Sequence, residues 1–137
     1  MAFARALGVW VFLAVLAIAN GIVRTTCIEP RVGEYGGHVI GSAVFVVVIF
    51  AVTFVFVGRL PAPSRKRLLG IGLFWLALTV AFEFLFGRGV AKEPWSVLLA
   101  DYNIFRGRLW LVVLAATCLA PAICGRLVEW LDARRPD

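Results

Sequence analysis

Residues 68–86 read LLGIGLFWLALTVAFEFLF, nineteen residues with a single charge, Glu83. As an α-helix such a stretch rises about 28 Å at 1.5 Å per residue, close to the ~30 Å hydrocarbon core of a bilayer. A water-soluble helix of this length needs a polar stripe recurring every three to four residues, and none is present. The stretch therefore reads as a membrane span.

Three further apolar runs flank it: Ala6 to Val23, Val39 to Val57, and Leu109 to about Val128. The whole chain of 137 residues is 62% hydrophobic and 16% charged, with a mean hydropathy of +0.94, well above the ~45–50% apolar content of soluble domains. The expected fold is an all-α integral membrane bundle of four transmembrane helices forming a single domain over residues 1–137, with the lipid bilayer as its first partner. A net charge of +6 invites a nucleic-acid reading. The basic residues, however, sit at the ends of apolar runs, where they report orientation, and no nucleic-acid partner is expected.

The first run follows Arg5 and ends near Ala17-Ile18-Ala19, the small-residue form of a signal-peptide cleavage site. Because the apolar run continues through Ile22 and Val23, a retained helix is expected. The fourth run contains Pro121, which removes a backbone donor and is expected to kink the helix, and Arg126, which blurs its end. Beyond it, Leu127 to Asp137 mixes apolar and charged residues and is expected either to lie along the cytoplasmic surface or to be a solvated helix end that frays after Pro136.

Orientation rests on the connection after the second run, where Arg59, Arg65, Lys66 and Arg67 surround Pro61 and Pro63 without an acid. Such loops stay in the cytoplasm. This places eight basic residues inside and six outside, the outer six interleaved with Glu29, Glu34, Glu93 and Asp101. The expected address is a cell inner membrane, with N and C termini cytoplasmic. Polar chemistry then concentrates in two outer connections, Arg24 to His38 and Gly87 to Arg108. In the second, Pro94 opens a segment with Trp95, Leu98, Leu99 and Tyr102 at helical spacing, predicting a short interfacial helix over residues 93–104.

Glu83 is the one acid well inside an apolar run. A carboxylate in hydrocarbon costs several kcal/mol, so it pairs, protonates or faces a polar cavity. It lies about one turn, roughly 6 Å, below the outer interface. Asn20 and Arg24, spaced i, i+4, share a face of the first helix. They are expected to converge with Glu83 and with Arg106 or Arg108, and His38 and Ser42 are placed to join them. The candidate ligand-binding set is Asn20, Arg24, His38, Glu83, Arg106 and Arg108. The competing reading is structural, since terminal arginines snorkel and a Glu–Arg pair can simply fasten two helices.

Cys27, Cys118 and Cys124 form no CxxC pair, two of them lie inside an apolar run, and the chain holds a single histidine, so no metal site, dithiol centre or other cofactor is expected. No nucleophile elbow, H-E-x-x-H or phosphate loop occurs, which argues against an enzyme. Gly8, Gly41, Gly70 and Gly72 punctuate three runs and permit close helix approach.

Phe82-Glu83-Phe84-x-Phe86-Gly87, Lys92-x-Pro94-Trp95-x-x-Leu98-Leu99-x-Asp101-Tyr102-Asn103, Arg106-Gly107-Arg108-x-Trp110 and Ala120-Pro121 together resemble a pattern found in an uncharacterised family of small four-helix bacterial inner-membrane proteins. The resemblance covers the second half of the chain. It implies location and helix count and brings no activity with it.

The leading expectation is binding or transport of a small solute or ion through an outer-facing polar pocket around Glu83, in a homo-oligomer because four helices enclose little volume. The alternative is an accessory or scaffolding subunit of a larger membrane complex. A lipid-modifying enzyme comes third.

Overall fold

The computed structural model describes residues 1–61, 63–90, 92, 94–100 and 109–134. Of these, 91% are helical, with no strand among them. Helix α1 is Ala2–Val23, α2 is Glu29–Gly58, α3 is Arg65–Leu85, α4 is Trp95–Ala100 and α5 is Trp110–Asp132. Five-residue π-helical turns, Arg24–Ile28 and Phe86–Val90, extend α1 and α3.

Three continuous helical stretches are long and apolar enough to cross a membrane: Ala2–Gly58, Arg65–Gly89 and Trp110–Asp132. The first is folded back on itself. Asn20 Nδ2 donates to the Gly41 carbonyl at 3.1 Å, whereas a straight helix would hold those residues about 31 Å apart. The reversal falls at Gly33, with φ 79° and ψ 168°, a region open essentially to glycine alone. Gly33→Ala is expected to cost about 1–3 kcal/mol, read as a lowered midpoint of unfolding in detergent, although no atom would obstruct the new methyl group.

The expected connection over Arg24 to His38 is thus mostly helical. The π turn carries α1 onward to Ile28, and Pro30 opens α2, where its missing N–H and fixed φ suit a helix start. Helix α3 begins three residues before the apolar run because the Ser64 hydroxyl accepts from the Arg67 amide at 3.3 Å, a side-chain cap. Helix α5 continues unbroken through Pro121 and Arg126 to Asp132. The tail expected along the surface is therefore helical to that point, and Arg134 stacks 3.8 Å over the Trp130 ring. Of the expected interfacial segment, α4 accounts for six residues, while Glu93 and 101–104 lie outside the described residues.

Hydrogen bonds and close approaches set the helix order. Trp75 Nε1 donates to the Ala6 carbonyl at 2.8 Å and Trp10 Nε1 to Thr79 Oγ1 at 3.0 Å, both across 69 residues. That constant offset makes α1 and α3 parallel. Helix α5 is antiparallel to α3, with Leu68 beside Gly125, Gly72 against Cys118 and Glu83 beside Trp110. Cys124 Sγ approaches the Phe50 carbonyl at 3.7 Å, tying α5 to α2.

The core holds Ile49, Val57, Leu68, Ile71 and Trp75, each almost completely buried. The outward faces carry Val11, Val15, Ile18 and Ile22 on α1, Val44 and Val47 on α2, and Leu73 on α3, all exposed. Water would not tolerate so large an apolar surface, whereas lipid requires it. Each buried indole N–H has an acceptor, as a medium without water demands.

Candidate functional site

The polar end of the molecule is built by the last turn of α1, the π turn after it, the first turns of α2, the end of α3 and the start of α5. Glu83, half-buried on α3, accepts a hydrogen bond from Trp110 Nε1 at 2.7 Å. Trp110 is the first residue of α5. An indole donates but cannot accept, so Glu83 Oε2 is the acceptor in this contact.

Arg24 reaches across from the α1 side. Its Nε lies 3.2 Å from Glu29 Oε1, and its Nη1 lies 2.9 Å from His38 Nδ1. A guanidinium has only donors, so Nδ1 offers its lone pair and the imidazole proton sits on Nε2. That nitrogen faces Glu34 Oε1 at 3.9 Å. The Arg24 side chain passes over Gly41, where an added methyl would stand 3.1 Å from its Cδ. A glycine on α2 thus makes room for the arginine of the neighbouring helix.

Three adjoining cavities occupy this end. One of about 350 Å³ is lined by Arg24, Glu29, Glu34, His38, Ser42 and Trp110. A second, of about 280 Å³, touches Asn20, Arg24, Ser42, Glu83 and Trp110. A third, of about 270 Å³, is bounded mainly by Trp10, Leu13, Ile49, Phe82, Thr117 and Val113, with Glu83 at its edge. Trp110 belongs to all three walls and Glu83 to the two deeper ones. Polarity falls along the series, from a charged mouth through a carboxylate to an apolar chamber in which Trp10 and Thr79 already satisfy one another.

The structure brings Asn20, Arg24 and Glu83 onto one cavity wall and places His38 on the adjoining one. Asn20 uses its amide to bridge α1 to the Gly41 carbonyl. Arg106 and Arg108 lie outside the described residues. Sequence reasoning overlooked Trp110, whose indole donates to Glu83, and Glu29, the acid beside Arg24. Trp110 carried a weak signal as a donor-bearing aromatic at the start of an apolar run.

Cys118 and Cys124 belong to α5, Cys124 being buried, and Cys27 is exposed on the π turn after α1. Among the described residues no cluster of three or more His, Cys, Asp or Glu side chains has the arrangement of a metal site.

Among the described residues, membrane-length apolar helices with outward-facing aliphatic side chains define a helical membrane protein. No protein-family model, curated protein or solved structure matches it.

Proposed function

We propose that the chain crosses a bacterial inner membrane four times, with both termini cytoplasmic and α4 lying in the outer interface, and that the cavity around Glu83 binds a small amphipathic solute for uptake or passage. The observation carrying this reading is the pair of cavities that meet at Glu83, one polar and one apolar. At about 270–280 Å³ each, they suit a ligand at the small end of the usual range. The carboxylate and the Asn20 amide would meet its polar head, and the Trp10 and Phe82 chamber its apolar body.

Thermal stability of purified wild type and Glu83→Gln, measured with sodium, ammonium, small anions and alkylammonium ions of increasing chain length, tests the proposal. Alkylammonium ions are expected to raise the wild-type midpoint, with affinity rising about fourfold per added methylene, from ~0.8 kcal/mol per buried CH₂. Glu83→Gln is expected to weaken binding at least tenfold, since hydrogen bonds to a charged group contribute about 1.5–3 kcal/mol.

A second reading is favoured by the Trp110 to Glu83 hydrogen bond itself, which ties α5 to α3 as a scaffolding or accessory subunit would require. If Glu83→Gln merely lowers stability and no solute moves the midpoint, the carboxylate is a helix fastener.

A further inference from the structure

At the opposite end of the molecule, a groove of about 680 Å³ runs between α1 and α2. It is larger than any of the three cavities near Glu83. Its walls are apolar, from Val9 and Phe12 on α1 and Val52, Val55 and Phe56 on α2, and its end is formed by Arg5 and Arg59. Phe12 and Val55 are about half exposed, so the groove opens sideways, toward the surface the helices present to lipid.

Both arginines are exposed, and among the described residues neither guanidinium makes a hydrogen bond or ion pair. No acid occurs between Tyr35 and Phe82 or before Glu29, so nothing on α1, on the groove-lining part of α2 or in their flanking sequence neutralises them. Arg65, Lys66 and Arg67 open α3 at the same end. From Arg59 back to Ala51 the groove follows α2 for about 12 Å at 1.5 Å per residue. That is most of the ~15 Å depth of one leaflet of a ~30 Å core.

We propose that this groove is a binding site for an anionic phospholipid, with its phosphate between Arg5 and Arg59 and one acyl chain laid along Val9, Phe12, Val52 and Val55. Basic pockets between membrane helices hold acidic headgroups in this manner. The chemistry shared with free phosphate is the anion; the apolar wall leading away from the arginines commits the site to a lipid. The inference rests on the chain being a membrane protein and is independent of the Glu83 reading.

The test uses delipidated full-length protein in detergent, with thermal midpoints and native mass spectrometry after addition of dioleoylphosphatidylglycerol, dioleoylphosphatidylcholine or inorganic phosphate. Phosphatidylglycerol is expected to raise the midpoint and to remain bound one per chain, with phosphatidylcholine and phosphate doing neither. The double variant Arg5→Gln/Arg59→Gln is expected to lose affinity about thirtyfold, the factor for two basic side chains near an anionic surface. Lys66→Gln/Arg67→Gln should retain wild-type affinity.

Val55→Trp, which fills the groove and leaves both arginines in place, is expected to abolish binding and keeps the test decisive should the double arginine variant not fold. Equal stabilisation by phosphatidylcholine, an equal loss in the two charge variants, or phosphate acting as well as lipid would each overturn the proposal. So would a dimer that buries this groove and persists in excess phosphatidylglycerol.

Discussion

Gly72→Ala is expected to destabilise the protein by about 3 kcal/mol or more, at or beyond the upper end of ordinary overpacking, and Gly72→Val to prevent assembly of α3 with α5. A methyl group on Gly72 would stand 1.9 Å from the Cys118 carbonyl oxygen and 2.9 Å from its carbon. Both are backbone atoms, so no side-chain rotation relieves the clash. An ordinary carbon to oxygen contact is about 3.3–3.6 Å, so the two helices must part by more than 1 Å along the whole interface.

In lipid, where apolar burial supplies little force between helices, close backbone approach is itself a principal source of association. Gly8→Ala provides the contrast, because nothing lies within 4 Å of the added methyl. Its expected effect is neutral or a gain of up to about 1 kcal/mol from helix propensity. Unfolding in mixed detergent micelles compares the two, and a Gly72→Ala variant as stable as wild type would show that α3 and α5 do not cross at this point.

Trp75→Ala is expected to cost about 3 kcal/mol. The side chain is completely buried, its ring centroid is 5.8 Å from that of Phe56 on α2, and its indole donates to the Ala6 carbonyl on α1. One residue thus joins α3 to both preceding helices. The figure lies at the low end of the 3–5 kcal/mol seen for large aromatic deletions in cores, because surrounding lipid is as apolar as the site and mainly the packing loss remains.

Trp75→Phe separates the contributions. It keeps most of the ring volume and removes the hydrogen bond, for which about 0.6–1.7 kcal/mol is expected in a membrane interior. The Ala6 carbonyl still accepts from its own helix, so no acceptor is left bare. Equal losses in the two variants would mean that the hydrogen bond, and not the packing, holds α1 in place.

Class was legible in the sequence. Hydropathy over about twenty residues is a local sum, so the apolar runs beginning at Ala6, Val39, Leu68 and Leu109 declared a helical membrane protein without any knowledge of its packing. Boundaries were less legible: α3 starts at Arg65 and not at Leu68, because the Ser64 cap is a local signal that a hydropathy run does not carry. The start of α2 was missed because Pro30, Glu34 and three glycines read as a loop, while helical geometry there is held by the π turn before it and by contacts with α1.

The individual polar candidates were likewise open to inspection, since Glu83 stands out by being charged among phenylalanines and Asn20 and Arg24 share a face by spacing. Their partners were not. Whether Glu83 meets Trp110, whether Arg24 lies over Gly41 beside His38, whether Gly72 touches Cys118, and whether Arg5 and Arg59 flank one groove all depend on the register between helices far apart in the chain. Composition and spacing along one helix determine which faces are apolar and where charge is costly. Register is settled only when small residues, indole donors and carbonyl acceptors on separate helices fit together at once, and that fit is a property of the tertiary structure alone.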